Sequence, residues 1–286
     1  MTTPLFIAEV SSNHHRDLER CYRFIDTAAR VGCGAVKFQL FKIEELFAPD
    51  ILEKSPIHQA RKGWELPVEF LPLLAARCRE RSIQFSCTPF YLDAVDELLP
   101  YIDFYKIASY ELLWSDLLTA CGRTGRPVVL STGMATMDEV HQAVSTLRSA
   151  GCSDLTLLHC VSGYPTPIDQ CNLAAINTLA NAFDCPVGWS DHSVSPGVIN
   201  RAANHWNARM IEFHLDLEGE GEEFKTGHCW LPEQIGQVIT MVKSGLAADG
   251  TGQKVPVAAE LPDREWRADP YDGLRPLKKL REVWHG

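Results

Sequence analysis

Two lysines stand inside otherwise apolar segments of this chain. Lys37 lies in Ala-Val-Lys-Phe-Gln and Lys106 lies in Phe-Tyr-Lys-Ile-Ala. A lysine is rarely buried unless it is paired with an acid or serves a function. Two buried ammonium groups favour an anionic ligand such as a phosphate or a carboxylate. The alternative is a pair of structural salt bridges, from Lys37 to Glu9 and from Lys106 to Glu111.

Two histidines follow short apolar segments late in the chain. His192 comes just after Val187–Ser190, and His214 ends Met210–His214. If these segments are neighbouring strands about 5 Å apart, both imidazoles can reach one divalent ion, with water or substrate oxygens in the open positions. A lone histidine is more often a hydrogen-bonded structural residue. That interpretation stays open for the pair and for His159, which ends another apolar segment.

The elements that must position these groups alternate between strands and helices. Apolar, β-rich segments predict strands at Leu5–Val10, Ala35–Gln39, Ile83–Thr88, Phe104–Ile107, Val128–Thr132, Leu155–His159, Val187–Ser190 and Met210–His214. Amphipathic segments predict helices at Leu18–Val31, Pro67–Ser82, Leu92–Leu98, Trp114–Thr124, Met137–Ala150, Asn172–Ala182, Pro196–Asn207 and Pro232–Ala247. Such alternation over about 250 residues predicts a closed (β/α)8 TIM barrel with a short carboxyl-terminal extension. An open doubly wound sheet is disfavoured because no Gly-x-Gly-x-x-Gly sequence opens the first helix.

The carboxyl ends of the strands form the active-site face of such a barrel, whatever the reaction. The polar residues at these ends are therefore expected to share one pocket. They are Glu9, Lys37, Gln39, Thr88, Lys106, Ser109, Glu111, Ser131, His159, Ser190, His192 and His214. Asn13, in the loop after the first strand, is placed to meet a substrate.

Composition excludes several classes of protein. Lys and Arg number 27 against 37 Asp and Glu, and no basic stripe is present, so a nucleic-acid partner is not expected. The sequence has no run of eighteen apolar residues and no signal-like leader, which predicts a soluble cytoplasmic protein without a membrane partner. The 10 cysteines show no Cys-x-x-Cys spacing, so neither a disulfide framework nor a structural zinc site is predicted.

Two segments interrupt the alternation of strands and helices. Residues 41–66 form a polar insertion that is too long for an ordinary βα loop and is a candidate lid. Residues 217–227 carry several glutamates and glycines after the last strand. We expect the barrel to occupy residues 1–250 and a proline-rich, charged tail to occupy residues 251–286, too short to form another domain with its own core.

The strand-end motifs together resemble those of the sialic acid synthase family, the phosphoenolpyruvate-dependent synthases of nine-carbon 2-keto sugar acids. The matching pieces are Ile7-Ala-Glu-Val10 with Asn13-His14, Val36-Lys-Phe-Gln39, Phe85-Ser-Cys-Thr-Pro-Phe90, Tyr105-Lys-Ile-Ala-Ser-Tyr-Glu111, Leu130-Ser-Thr-Gly-Met134, His159-Cys-Val-Ser-Gly-Tyr-Pro165, Ser190-Asp-His192 and Ile211-Glu-Phe-His214. One such motif is weakly specific, but the whole ordered set is highly specific. Residues 252–260 also resemble the family's segment just after the barrel.

The resemblance implies a reaction. The methylene carbon of phosphoenolpyruvate attacks the aldehyde of an open-chain N-acetylhexosamine, typically N-acetylmannosamine; water then attacks the phosphate-bearing carbon and phosphate leaves. The family's pattern implies Mn²⁺ or Mg²⁺ bound by His192 and His214, which polarises the aldehyde, and a catalytic carboxylate at Glu9. It places phosphoenolpyruvate against Lys37, Gln39, Thr88, Lys106, Ser109, Ser131 and Ser190. The sugar-binding residues are then Asn13, Glu111, Ser162 and Tyr164, and family habit suggests a homodimer.

The chain also departs from the family's pattern. Usual members continue into a small antifreeze-like domain that reaches across a swapped dimer to place an arginine on the sugar's N-acyl group, and we expect this chain to lack it. An arginine of the tail (Arg264, Arg267 or Arg275) or the 41–66 insertion would replace that contact, or else the acceptor sugar differs. His228 aligns with nothing in the family's pattern and is left outside the predicted site.

Two other functions stay open on the sequence. A class I aldolase on the same barrel would use Lys106 or Lys37 to form a Schiff base. A catalytically silent barrel would bind sugar phosphates or act as a scaffold, although it would have no need for buried charged groups that are unfavourable to keep.

Overall fold

Eight parallel strands close into a barrel in the computed structural model, which describes residues 2–284. They are β1 (Leu5–Glu9), β2 (Ala35–Leu40), β3 (Gln84–Pro89), β4 (Phe104–Ile107), β5 (Val128–Ser131), β6 (Leu155–Cys160), β7 (Val187–Asp191) and β8 (Met210–Leu215). Each strand pairs with the next, and β1 also pairs in parallel with β8. The predicted TIM barrel is therefore confirmed, and an open sheet is excluded.

Helices connect the strands and continue after the last of them. They are α1 (Leu18–Val31), α2 (Ile43–Leu46), α3 (Pro49–Lys54), α4 (Pro56–Ala60), α5 (Leu71–Glu80), α6 (Asp93–Leu98), α7 (Ser115–Arg123), α8 (Met137–Ser149), α9 (Ala175–Ala182), α10 (Pro196–Asn204), α11 (Glu222–Lys225), α12 (Pro232–Ala248) and α13 (Lys278–Arg281). A short strand that the sequence did not predict, β9 (Cys229–Trp230), pairs in parallel with β8. The 41–66 insertion contains α2, α3 and α4 followed by a 3₁₀ turn at Arg61–Trp64.

Local backbone signals explain where the helices begin and end, and why some predicted helix bounds were wrong. Helix α1 begins where the Asp17 carboxylate accepts a hydrogen bond from the backbone N–H of Arg20, and it ends at Gly32 with a φ of 96°. Two predicted helices were too long, because Asn172 and Asn207 adopt left-handed φ angles of 44° and 56° that a helix does not tolerate. The predicted helix 67–82 starts late because residues 68–70 form a 3₁₀ turn.

Side-chain alternation along the strands sorts the barrel interior into layers. Ile7 of β1, Ala35 of β2, Phe104 of β4 and Val129 of β5 form part of a small apolar cluster inside the barrel. The residue two positions further along each of these strands is polar: Glu9, Lys37, Lys106 and Ser131. The apolar layer therefore closes the barrel beneath the polar side chains at its carboxyl-terminal mouth.

Asp249 begins a second compact unit after the barrel unit ends at Ala248. Within this second unit the rings of Trp266 and Trp284 pack edge to face, with their centroids 5.2 Å apart. The backbone N–H of Lys278, at the start of α13, donates to the Asp269 carboxylate over 2.7 Å. These contacts give the tail local order.

All ten cysteines lie within the described residues and are free thiols, as the scattered spacing predicted. No helix within residues 2–284 combines the length and apolar character needed to cross a bilayer.

Candidate active site

A cavity of about 330 Å³ opens at the carboxyl-terminal mouth of the barrel. Parallel pairing places Glu9 of β1 beside Lys37 of β2 on one side and His214 of β8 on the other. The predicted site residues that line the cavity are Glu9, Lys37, Gln39, Lys106, Ser109, Ser131, Tyr164, Ser190, His192 and His214. Most of the polar residues predicted at the carboxyl ends of the strands therefore share one pocket.

Five predicted residues lie elsewhere. Thr88 is buried just below, where its hydroxyl accepts from Lys37 Nζ at 3.3 Å, and Glu111 lines an adjacent cavity. Asn13 and Ser162 line neither cavity; the amide of Asn13 is buried and donates to the Leu215 carbonyl over 3.1 Å. His159 points away from the mouth, with its Nε2 3.0 Å from the Cys171 carbonyl oxygen, so it is the packed structural histidine of the simpler interpretation.

Lysines and glutamates form a buried network beneath the cavity. Lys37 Nζ lies 2.5 Å from Glu9 Oε2, which is the structural salt bridge predicted as the alternative to ligand binding. Lys106 Nζ instead lies 3.4 Å from Glu212 Oε1, so the prediction that Lys106 pairs with Glu111 was wrong. Glu212, which sequence reasoning missed, stands on β8 two residues before His214 and so shares its face of the strand.

Burial and mutual attraction set the charges of this network. Burial alone would raise the pKa of Glu212, but attraction to Lys106 and Lys37 outweighs it and lowers that pKa to about 2. Burial lowers the pKa of Lys106, and repulsion from Lys37 adds to this effect against the opposing attraction of Glu212. Burial acts on Lys37 in the same sense, but Glu212 and Glu9 raise its pKa overall.

The charged side chains that line the cavity balance one another. The cations are Lys37, Lys106 and Arg61, and the carboxylates are Glu9, Glu212 and Glu223. Its histidines apart, the cavity has no formal excess of positive charge. A small multivalent anion would therefore bind best together with an additional cation.

Imidazole rings cluster at one wall of the cavity. The rings of His192 and His214 have centroids 5.3 Å apart, and His228 lies 4.9 Å from His214. His192 Nδ1 is 2.9 Å from the Val161 carbonyl oxygen, and the Cys160 thiol is also hydrogen-bonded to this ring. The predicted pair is thus together, and His228, which had been left out, joins it.

Glu223 lies next to these rings. Its Oε2 is 2.8 Å from His214 Nδ1 and 3.7 Å from His228 Nε2. Burial would raise the pKa of Glu223, but hydrogen bonding to both histidines holds it well below its usual range. Burial lowers the pKa of His228, which favours the neutral imidazole that metals bind.

A second cavity of about 640 Å³ adjoins the first and shares Ser11, Gln39, Arg61, Phe90, Tyr110 and Glu223 with it. The 41–66 insertion supplies part of its wall. The guanidinium of Arg61 lies over the rings of Phe47 and Trp64, 5.5 and 5.4 Å from their centroids. Its Nε is buried and finds no hydrogen-bond acceptor within residues 2–284. The insertion therefore brings a cation with unused hydrogen-bonding capacity to the pocket.

Glu111 is expected to make stability depend on pH. Burial raises the pKa of Glu111 from 4.5 to about 7, so the fold favours its protonated form. This contribution is complete below about pH 4.5 and is lost as the pH rises through 7, a change of at most about 3 kcal/mol. Glu111→Gln removes it. Urea unfolding of both proteins from pH 4.5 to 8 should show the wild type losing stability relative to the variant, and parallel profiles would contradict the assignment.

Residues 24–254 match the sequence profile of the NeuB family. The chain belongs to the NeuB family. Among its relatives is an uncharacterized protein of Methanocaldococcus jannaschii, 35% identical over 260 residues that span 90% of this chain and 75% of that protein. The N,N'-diacetyllegionaminic acid synthase of Campylobacter jejuni is 32% identical over 271 residues, spanning 89% and 80% of the two chains.

A solved structure shows the same architecture. The N-acetylneuraminic acid synthetase of Leptospira borgpetersenii superposes on this NeuB-family chain with a TM-score of 0.80 and 31% identity, over 93% of this chain and 92% of that one. The resemblance to the sialic acid synthases is thus confirmed. NeuB-family proteins are nonulosonic acid synthases whose general reaction is a phosphoenolpyruvate-dependent condensation. This chain is accordingly an enzyme of the C–C bond-forming transferase type.

Proposed function

We propose that the chain condenses phosphoenolpyruvate with the aldehyde of an N-acylated hexosamine, N-acetylmannosamine or a related sugar, giving a sialic acid or other nonulosonic acid and phosphate. The observation that carries this proposal is the single cavity in which Lys37 and Lys106 lie with His192 and His214. Relatives named as legionaminic and pseudaminic acid synthases support acylated amino sugars as the acceptor class.

Phosphoenolpyruvate is assigned to the base of the cavity. Its phosphate and carboxylate would meet Lys37 and Lys106, with hydroxyl and amide groups supplying further hydrogen bonds. The Ser131 hydroxyl is buried without a partner among the described residues, which suits it to an incoming oxygen. The complete assigned set is Lys37, Gln39, Thr88, Lys106, Ser109, Ser131 and Ser190.

Glu9 is assigned as the catalytic carboxylate. Its Oε2 contacts Lys37, and its Oε1 accepts from Gln39 Nε2 over 2.6 Å. These contacts hold the carboxylate at the cavity wall with its oxygens directed along β2. In this position Glu9 would take a proton from the attacking water or from a sugar hydroxyl.

The donor set at the histidine wall fits a divalent metal. The cavity's balanced charges leave room for a further cation beside a multivalent anion, and His192 and His214 would hold Mn²⁺ or Mg²⁺. When bound, such an ion supplies Lewis-acid polarisation of the aldehyde oxygen as negative charge develops there. Tyr164, whose ring centroid lies 4.1 Å from that of His192, would confine the sugar on this side.

The acceptor sugar is assigned to the adjoining cavity, which Glu111 and Arg61 line. Arg61 of the insertion is then the residue that contacts the acyl group, in preference to Arg264, Arg267 or Arg275 of the tail. Ser162 and Asn13 lie outside both cavities and would act only through the loops that carry them.

Arg61→Ala is expected to raise the KM for the sugar by about 10- to 100-fold, because a hydrogen bond to a charged group contributes about 1.5–3 kcal/mol. The KM for phosphoenolpyruvate should change little. Arg61→Lys keeps the charge but loses the planar, forked guanidinium group, so its KM for the sugar should lie between those of the wild type and Arg61→Ala. Steady-state kinetics with a chain ending at Glu260 provide the control. An unchanged sugar KM in Arg61→Ala, or a raised one in the shortened chain, would contradict the assignment.

The proposed activity is tested by measuring phosphate released from phosphoenolpyruvate in the presence of Mn²⁺ and a panel of acylated hexosamines. We expect release only with an acceptor sugar, in equal amounts with a 2-keto acid. Release that does not depend on the sugar, or no release with any member of the panel, would overturn the proposal.

A Schiff-base aldolase has one observation in its favour, the lowered pKa of Lys106 beside a second lysine. The NeuB-family mechanism forms no imine, so borohydride treatment with either substrate should leave the protein unlabelled. Intact-mass measurement checks this, with Lys106→Met as the control. A mass increase that is absent from the variant would favour the aldolase.

The cytoplasmic location and the homodimer stay predictions.

A further inference from the structure

Glu223 and His228 lie on the cavity wall next to His214, although the predicted metal site contained neither. His214, Glu223, His228 and Cys229 each offer a donor atom, and these atoms lie within 4.8 Å of one another. His214 lies near the end of β8, Glu223 lies in α11, His228 lies between α11 and β9, and Cys229 begins β9. Three of the four therefore lie within residues 223–229, in the segment that follows β8.

The spacing of three donor atoms suits a shared ion. Glu223 Oε2 lies 2.8 Å from His214 Nδ1 and 3.7 Å from His228 Nε2. Two ligand atoms that each bind a metal at about 2.0–2.2 Å lie roughly 3–3.5 Å apart in tetrahedral or octahedral geometry. The observed distances bracket this range, so an ion needs only small side-chain shifts to bind all three.

The surrounding contacts hold these donors in place. His228 Nδ1 lies 2.7 Å from the Thr226 hydroxyl, which leaves Nε2 directed toward Glu223. The Ser12 hydroxyl donates to Glu223 Oε1 over 2.7 Å, which leaves Oε2 on the side of the histidines. Partners of this kind orient metal ligands in known sites.

We propose that Glu223 and His228 bind the metal together with His214, so that the ion has one carboxylate and at least two imidazole ligands from this wall. This inference rests on the proposed function for the presence of a metal, but it goes beyond the pair His192 and His214. A nitrogen-rich set of this kind binds late first-row ions more tightly than it binds Mg²⁺. The chain is therefore a transition-metal enzyme that Mg²⁺ serves poorly.

The alternative role for Glu223 is to orient His214 without touching the ion, while His228 only packs against the wall. Metal binding measured directly separates the two. Calorimetric titration of metal-free protein with Co²⁺ and with Mn²⁺ should show an affinity loss of more than about 100-fold in His228→Gln and in Glu223→Gln, beyond the roughly 10- to 100-fold loss caused by removing a partner that only orients a ligand. The visible absorption of bound Co²⁺ should change in both variants, because ligand number and type change. His205→Asn, at an exposed histidine, is the matched control and should bind as the wild type does.

Thermal unfolding without metal checks that both variants fold, and the rise in Tm on adding Co²⁺ should be smaller in them than in the wild type. The wild type should bind Co²⁺ at least about 100-fold more tightly than Mg²⁺.

The inference is overturned if His228→Gln and Glu223→Gln bind Co²⁺ with the wild-type spectrum, whatever their affinity. If His192→Ala and His214→Ala lose binding in that same experiment, the two-imidazole site of the proposed function still stands. Equal affinity for Mg²⁺ and Co²⁺ would overturn the claim of metal preference. Phosphate release that persists undiminished in EDTA would instead remove the metal from the proposed function itself.

Discussion

Replacing Lys106 with methionine is expected to lower kcat/KM for phosphoenolpyruvate roughly 30- to 5,000-fold, which corresponds to a loss of about 2–5 kcal/mol of transition-state stabilisation. The KM for the sugar should change little. Lys106 is buried, and the structure offers its ammonium group Glu212 at 3.4 Å as a partner. The variant therefore loses a contact to the anion in a desolvated site. Among the described residues it also leaves Glu212 with Lys37, at 4.0 Å, as its one remaining salt-bridge partner.

These two effects can be separated with Glu212. In the double variant Lys106→Met with Glu212→Gln, the uncompensated carboxylate is gone, so stability should recover toward that of the wild type. The use of phosphoenolpyruvate should stay impaired, because the cation is still missing. Urea unfolding and steady-state kinetics on the single and double variants measure both quantities. Recovery of kcat/KM in the double variant would show that Lys106 acts only as a structural partner.

His192→Ala and His214→Ala are each expected to lower metal-dependent turnover by at least about 10³-fold, since a Lewis-acidic ion contributes several kcal/mol of charge stabilisation. Both rings lie at the mouth of the barrel above its apolar layer, so the fold should persist. Turnover measured across an Mn²⁺ titration, with circular dichroism of each variant, provides the check. His205→Asn should retain full activity. Full activity in both alanine variants would discard the metal assignment.

The barrel could be predicted from the sequence because its signals are local. Apolar runs of four to six residues marked every strand of the barrel to within one residue at each end. Glycines such as Gly32 stand in the sequence where helices end. Since all strands of a TIM barrel end at one face, the strand positions alone gathered Lys37, Lys106 and the two histidines into one pocket.

The pairing inside that pocket could not be predicted from the sequence. Lys106 has Glu111 five positions away, yet its ammonium group lies beside Glu212, because alternation along β8 turns that carboxylate into the barrel. Such a pairing depends on barrel closure and on the relative stagger of strands, which spacing does not reveal. The only available signal was the position of Glu212 two residues before His214.

Residues outside the regular elements were the hardest to place. Arg61, Glu223 and His228 lie in an insertion and in a loop-rich segment without periodicity, so nothing local indicated that they reach the cavity. Asn13 was placed at the substrate for its proximity to β1, but its amide donates to the backbone of Leu215. The direction of a loop side chain depends on backbone turns such as that at Ser11, which has a φ of 50°.

The central claim is that two lysines hold phosphoenolpyruvate beside a metal bound at the histidine wall. Crystals soaked with Mn²⁺ and phosphoenolpyruvate, with diffraction recorded at the manganese absorption edge, test it most directly. We expect one anomalous peak within bonding distance of His214 and the phosphate or carboxylate of phosphoenolpyruvate against Lys37 and Lys106. A manganese peak away from the imidazoles, or phosphoenolpyruvate bound outside this cavity, would contradict the account.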